Sequence, residues 1–358
     1  MPNTKHQVEV IAYDPQWVAQ FRQEAAVLHA IFGEQAVAIH HIGSTSVPEL
    51  SAKPIIDILL EIRDIEAVDL YDEQMREFGY EPRGEYGLPR RRYFPKIENG
   101  QHISHVHTWQ TSDLEIERHI SFRDYLISHL ETRKVYSLLK EELATQFADN
   151  KESYMDSKHA FCQKTERRAV AWNQEIRAQK IQTERLTLLP LNPAQLGHYL
   201  NRPSQLEAAL HLNLSRSVLA DPVPQAIRTK LRNTAGAAPA QLLWNTYWLV
   251  IIRDESFGAG LIGFKGAPEP DGTVEIGYGI DPDVRRHGYA TEAVKAVINW
   301  ALVRPGCQAV TAFTEKDNTA SIRVLEKLGF SLARETEEDL CWIVTTTSGG
   351  LIPDFSGQ

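Results

Sequence analysis

The 358-residue chain predicts two α+β domains, each a mixed sheet with flanking helices. Three observations carry that prediction. The length suits two domains better than one. Both halves alternate short β-type runs with stretches whose apolar residues recur at helical spacing. Between them lies a polar segment, Asn173 to Lys180, with no helix-stop signal, read as a prolonged helix. The border is placed there, giving domains 1–175 and 176–350.

Composition narrows the class. Hydrophobic residues make up 42% and charged residues 24%, as in ordinary globular proteins. No apolar run approaches a membrane span and residues 1–6 lack a signal-peptide core, so no membrane partner is expected. Cys162, Cys307 and Cys341 lie far apart without metal-type spacing and read as free thiols, which suits the cytoplasm. The net charge of −9 argues against broad nucleic-acid binding but leaves room for a local basic pocket.

In the first half, Val8 to Ile11 reads as a short strand. Asp14-Pro15 supplies an N-cap and a first-turn proline for a helix carrying Val18, Phe21, Ala25, Leu28 and Ile31, which Gly33 ends. Val37 to His40 and Ile55 to Leu60 are strands. A helix is expected from Asp64 to Phe78, strands at Arg90 to Phe94 and around His102 to His107, and helices over Leu114–His129, Glu131–Phe147 and Tyr154–Trp172. Gly43-Ser44-Thr45-Ser46 packs hydroxyls and a glycine into a turn able to contact phosphate. Asp57 is a lone carboxylate in a strand otherwise fit for burial, so it needs a partner, either a metal or a neighbouring Arg. His105 and His107 share one strand face and could bind a metal or a phosphate, or be surface histidines.

Taken together, Tyr13-Asp14-Pro15-x-Trp17, Ile42-Gly43-Ser44-Thr45-Ser46-Val47-Pro48, Lys53-Pro54-Ile55-Ile56-Asp57-Ile58, Arg91-Arg92-Tyr93-Phe94, His105-x-His107 and Phe122-Arg123-Asp124-Tyr125-Leu126 resemble the GrpB family, over roughly residues 8–172. That family is similar to nucleotidyltransferases, whose signature sets Gly-Ser before a strand with alternating carboxylates. The resemblance implies a nucleotidyltransferase-like fold with a site built from Gly43, Ser44, Thr45, Ser46, Lys53, Asp57, Arg91, Arg92, His105 and His107. A nucleotide would be its partner, and Asp57, His105 and His107 would hold any divalent metal. Leu59 stands where the second carboxylate would be. Two-metal chemistry then requires Glu61, His105 or His107 to complete the site.

In the second half, a first strand is expected over Thr183–Leu191, then helices at Pro193–Asn201, Gln205–Leu212 and near Pro224–Asn233. Strands follow at Leu249–Ile252, Gly260–Gly266 and Thr273–Tyr278. Arg285, Arg286 and Gly288 then lead into a long helix with apolar residues at Ala293, Val294, Val297, Ile298, Ala301 and Leu302. A helix N-terminus carries unpaired N–H groups and partial positive charge, and such a loop suits a pyrophosphate. A strand at Ala309–Thr314, a helix capped near Asn318, strands from Phe330 to Val344 and a loose tail after Thr347 close the chain.

Arg285-x-x-Gly288-x-Ala290, Asn318-x-x-Ser321 and Leu325-Glu326-Lys327-Leu328-Gly329-Phe330, in this element order, resemble the GNAT superfamily of N-acetyltransferases over roughly residues 181–346. Thr183-Glu184-Arg185-Leu186 and Glu275-Ile276-Gly277-Tyr278 look most like the branch related to ribosomal-protein N-acetyltransferases. The resemblance implies acetyl-CoA as cosubstrate and direct attack by an amine, a protein N-terminus or a small molecule. Glu275 would be the base and Ser321 the acid. Tyr278, Gly279 and Ile280 would hold the pantetheine arm, with Asn318 bonding to it, while Arg285, Arg286, His287, Gly288, Tyr289 and Ala290 would hold the pyrophosphate. Two bland readings stay open: Glu275 as a structural carboxylate paired with a nearby Arg, and Asn318 and Ser321 as simple N-cap residues. Three functional readings follow: an acetyltransferase fused to a GrpB-like domain, a bifunctional enzyme with an active metal-dependent nucleotidyltransferase, or a noncatalytic substrate-binding first domain.

Overall fold

The computed structural model describes residues 9–220, 222–234 and 236–345. It divides into two compact units, one of residues up to Gln174 with Ser204–His211, the other of Glu175–Pro203 and everything from Leu212 on. The two mixed sheets and their helices match the expected α+β class. The expected tail beyond Thr347 and the first residue of the opening strand, Val8, lie outside the described residues.

In the first unit, α1 (Gln16–Phe32) begins where the Asp14 carboxylate accepts the Gln16 N–H at 2.8 Å, and ends at Gly33. Then come β1 (Ala36–Ile42), β2 (Ile56–Ile62), α2 (Asp72–Glu77), β3 (Arg92–Glu98), β4 (Gln101–Gln110), α3 (Leu114–Ser128), α4 (Leu130–Gln146) and α5 (Lys151–Ala178). The sheet order is β1-β2-β4-β3, with β2 and β4 parallel and the other pairs antiparallel. Strand alternation divides the core. Ile56, Ile58, Leu60 and Ile62 pack with Trp17, Phe21 and Leu28 of α1, while Leu59 packs with Ile42, Trp109 and Ile116. Arg123 is 2% exposed: it donates to Asp124 at 2.9 Å and to the His41 carbonyl at 3.1 Å, tying α3 to β1. The Phe122-to-Leu126 motif therefore contains a buried structural brace.

Three expected elements differ. Val8–Ile11 yields only a single bridge, Ile11 to Ala52, among the described residues. Between Asp64 and Phe78 a 3-10 run, Glu66–Tyr71, precedes the short α2. Asp64 accepts the Glu66 N–H at 3.0 Å, a local turn that competes with a regular helical start. The strand expected from Arg90 begins at Arg92, because Arg90 has φ 66°, a left-handed conformation foreign to a strand.

The second sheet is built from β5 (Ile181–Gln182), β6 (Leu186–Pro190), β7 (Asn213–Leu214), β8 (Trp248–Ile252), β9 (Phe257–Phe264), β10 (Thr273–Ile280), β11 (Ala309–Glu315), β12 (Ser331–Glu335) and β13 (Asp339–Thr345). Its order is β12-β13-β11-β10-β9-β8-β6-β5, with β7 beside β9. Helices α6 (Pro193–Asn201), α7 (Pro203–Leu210), α8 (Val223–Thr234) and α9 (Pro239–Asn245) precede β8; α10 (Tyr289–Leu302) and α11 (Thr319–Lys327) flank β11. The first strand starts later than expected because Thr183 and Leu186 close a turn, their N–H and C=O groups meeting at 3.0 Å. Ala293, Val294, Val297, Ile298 and Ala301 of α10 are buried, and they pack in one core with Val274, Ile276, Val310 and Ala312. β10 and β11 are parallel, yet they pair only from Thr273–Ala309 to Glu275–Thr311. Beyond that point β10 stays with β9 through Ile280 and β11 stays with β13 through Glu315, so a wedge opens between them.

No described helix is long and apolar enough to cross a membrane. The buried brace gives a stability prediction. Arg123→Leu removes Asp124's ion-pair partner in a dry site, so chemical denaturation should show a loss of about 3–5 kcal/mol in the first unit. A loss below about 1 kcal/mol would assign the motif another role.

Candidate functional site

The parallel register of β2 and β4 sets Asp57 opposite His105 and Leu59 opposite His107. Asp57 Oδ1 lies 3.2 Å from His105 Nδ1 and 3.9 Å from His107 Nε2. The partner of this lone strand carboxylate is thus a histidine pair, not an arginine. Gly43 (φ 69°) turns the chain over it. A Cβ there would stand 2.9 Å from the Asp57 Cβ and run into the carboxylate itself, so only glycine fits. Burial opposes ionisation of Asp57, but the hydrogen bonds and charge of His105 and His107 outweigh it and hold the carboxyl well below its usual range. Burial in turn lowers the His107 pKa, against the pull of Asp57. Arg91 Nη1 approaches His107 Nδ1 at 3.4 Å, and in that tautomer Nε2–H faces Asp57.

The ligand atoms of Asp57, His105 and His107 all lie within 4.8 Å of one another. One oxygen and two imidazole nitrogens suit a single transition metal better than Mg²⁺. They do not suit a two-metal centre. Leu59 is wholly buried in an apolar cluster, and Glu61 is 1% exposed, bonded by Thr111 at 2.7 Å with His40 at 3.6 Å. Glu61 therefore does not complete the site.

A cavity of about 1450 Å³ gathers Gly43, Ser44, Thr45, Lys53, Asp57, Arg91, His105 and His107. It leaves out two expected members. The Ser46 hydroxyl donates to the Gly43 carbonyl at 2.6 Å, and Arg92 is held by Asp69 at 2.6 Å. Thr45 is 1% exposed and spends its hydroxyl on the Ile55 carbonyl at 3.3 Å. Sequence reasoning missed the helical wall: His119 of α3, Lys140 of α4, and Tyr154, Lys158 and Cys162 of α5. The last three recur at i, i+4, which places them on one helix face, but charged helix positions are usually solvated.

In the second unit, Arg285, Arg286, His287 and Gly288 are exposed at the start of α10. Gly288 (φ 82°) is its N-cap, and Arg286 (φ 65°) is also left-handed, so the loop enters the helix through two left-handed residues. Arg185, which the sequence did not single out as a site residue, braces this loop. It donates to the His287 carbonyl at 2.7 Å and to Glu292 at 2.8 Å, and stacks over the Tyr289 ring at 4.7 Å. Thr183 bonds the same carboxylate at 2.5 Å. Burial opposes the charge on Glu292; these bonds outweigh it and lower its pKa.

Backbone direction along β10 follows from its bonds. The Gly272 carbonyl accepts from Gln308 N–H and the Val274 carbonyl faces the Thr311 hydroxyl, both on the β11 side. The Glu275 carbonyl and the Asp281 N–H bond to Lys265 and Ala259, on the β9 side. Period-two alternation then turns the backbones of Ile276, Tyr278 and Ile280 into the wedge, and that of Gly279 toward β9. Glu275 stands at the apex, where pairing ends, and forms an ion pair with Lys265. Asn318 caps α11, accepting the Ser321 N–H at 3.1 Å. The Tyr278 phenol, its pKa pushed up to about 12 by burial, donates to the Ser321 carbonyl at 3.5 Å.

The first unit carries a pH prediction. Burial, reinforced by the Arg118 charge, lowers the His119 pKa to about 4. A depressed folded pKa means the unfolded chain binds the extra proton. The contribution is complete above about pH 6.5 and is lost as pH falls toward 4. His119 should therefore add up to about 1.4 kcal/mol per pH unit to the fall in unfolding free energy over that window, and His119→Phe should reduce the slope by that share. An unchanged slope in the variant would contradict this.

Comparison with known proteins supports the two-domain organisation. Residues 7–168 match the family model described as GrpB protein, and residues 185–331 match that of the acetyltransferase (GNAT) domain. UPF0157 protein YqkA of Bacillus subtilis (strain 168) is 45% identical over 168 residues, 47% of this chain and 49% of YqkA, so the chain spans about half of that relative's length. The glutamate-rich protein GrpB of Alkalihalophilus pseudofirmus is 30% identical over 161 residues, covering 44% of this chain and 92% of that protein. Uncharacterized N-acetyltransferase YjdG of Bacillus subtilis (strain 168) is 40% identical over 99 residues, 28% of this chain and 59% of that protein. The chain belongs to the GrpB family through its N-terminal domain and carries a GNAT acetyltransferase domain after it.

Proposed function

We propose that the chain transfers an acetyl group from acetyl-CoA to an amine, a protein N-terminus or a small molecule, in its 176–350 domain. The observation that carries this reading is the wedge between β10 and β11. It exposes the backbones of Tyr278 and Ile280 beside a cationic, glycine-capped helix start. A pantetheine arm can add to β10 like a strand, and its pyrophosphate can accept from the α10 N-terminus with Arg285, Arg286 and His287 around it. An N–H lining the wedge can stabilise the oxyanion, worth roughly 3 kcal/mol per donor. Gly279 serves here through its missing side chain, and Asn318 keeps an amide N–H₂ for the arm while its oxygen caps α11.

An amine must lose a proton before it attacks the thioester carbonyl, and Glu275 at the apex is the proposed base, directly or through a water. Its Lys265 partner has a side chain 70% exposed, so that pairing is weak and can open. As the C–S bond breaks, the thiolate takes a proton from Ser321 or from the Tyr278 phenol beside it. We read the 1–175 domain as a binding module rather than a two-metal nucleotidyltransferase, because Leu59 and Glu61 are both committed to the scaffold. The free cysteines suit a cytoplasmic site of action.

Gly288→Glu should weaken acetyl-CoA binding about tenfold or more while the fold survives; unchanged affinity would reject the loop assignment. Glu275→Gln should cut kcat by about a hundredfold or more with acetyl-CoA affinity preserved. Undiminished turnover would return Glu275 to a structural role. Between the acids, the variant (Tyr278→Phe or Ser321→Ala) that lowers kcat at high pH names the donor.

A further inference from the structure

Besides Asp57 and the histidines, the cavity of the GrpB-like domain is lined by cations with the chemistry of an anion site. Lys53 Nζ lies 4.2 Å and Lys158 Nζ 5.4 Å from the centroid of the same Tyr154 ring. Lys140, 2% exposed, lies over the Tyr136 ring at 4.4 Å and donates to the Ser51 carbonyl. Ser44 and Arg91 share the cavity. Three lysines thus line the cavity of a net-acidic chain, and none of them has a carboxylate within ion-pair distance among the described residues.

We infer that Lys53, Lys140 and Lys158 form a binding site for linked phosphates, a di- or triphosphate group, within the N-terminal cavity. The inference rests on the binding-module reading and adds the ligand class to it. One phosphate would leave these lysines under-neutralised, whereas a chain of two or three matches their charge. The cavity is larger than most small-ligand pockets, with room for a substituent on the phosphates.

The lysines also report an unfilled demand for negative charge. Burial, then Lys158 and Lys151, lower Lys53 to about 8; burial, then Lys158, lower Lys140 to about 7. Asp57 faces Lys53 and opposes its shift; Glu141 of α4 and Cys162 of α5 do the same for Lys140, and Tyr136 and Tyr154 supply the ring faces. A bound polyanion would raise both pKa values and favour the charged ammonium form.

The test is calorimetric titration of the full chain with inorganic tripolyphosphate, and in parallel with ATP and CoA to separate sources of the same phosphate chemistry. Tripolyphosphate should bind, more weakly at high salt. Lys158→Glu or Lys53→Met should weaken it roughly tenfold, and Arg285→Glu in the other domain should leave that component intact. Wild-type titrations at pH 8 in buffers of different ionisation enthalpy should show proton uptake, a readout that needs no variant to fold. Absence of binding, or loss only with Arg285→Glu, overturns the site. If ATP is consumed, as followed by phosphorus NMR, and Asp57→Asn stops it, the binding-module reading fails while the lysine site stands.

Discussion

The constraint on which the second domain depends is that β10 and β11 can pair for only three residues. Each has a partner that runs further, β9 and β13, so neither strand can bend back to close the gap after Glu275 and Thr311. Because the two strands are parallel and each is followed by a helix, α10 and α11 both start at the same end of the sheet as the wedge. One gap thereby collects unpaired strand backbone, two helix N-termini and a carboxylate at its apex. Arg185 and Glu292 hold the first of those helix ends in place from β6's side of the sheet.

The first domain uses parallel pairing differently. Between β2 and β4 it places side chains directly opposite each other, which is why Asp57 meets His105 with no loop involved. The same alternation that aims Asp57 at the cavity also aims Leu59 and Glu61 along that face, and both have been absorbed, one by an apolar cluster and one by His40 and Thr111. The turn and the strand with Asp57 that the resemblance implied are both present, without a second carboxylate beside Asp57. In its place, the helices supply cations.

Much of this was legible from residue order. Period-two and helical spacing located the sheet strands and α10, and Gly43 and Gly288 marked the two places where backbone must turn tightly around a site. What escaped were relations between distant segments. Nothing local distinguishes Lys140 or Lys158 from solvated helix residues, and only tertiary packing buries the former. Arg185 and Glu292 are separated by more than a hundred residues. Ser46 and Arg92 looked like site members because their neighbours are; rotation of one position along a turn or strand sends each into the scaffold. Gly279's backbone direction depends on hydrogen-bond alternation, which a motif does not encode.

The most direct test of the account is amide hydrogen exchange across β10 with and without acetyl-CoA. The wedge reading predicts slowed exchange at Tyr278 and Ile280 and at the first turn of α10, with little change at Gly277 and Gly279, already bonded to β9. Exchange at Tyr278 and Ile280 that is indifferent to saturating acetyl-CoA would contradict it.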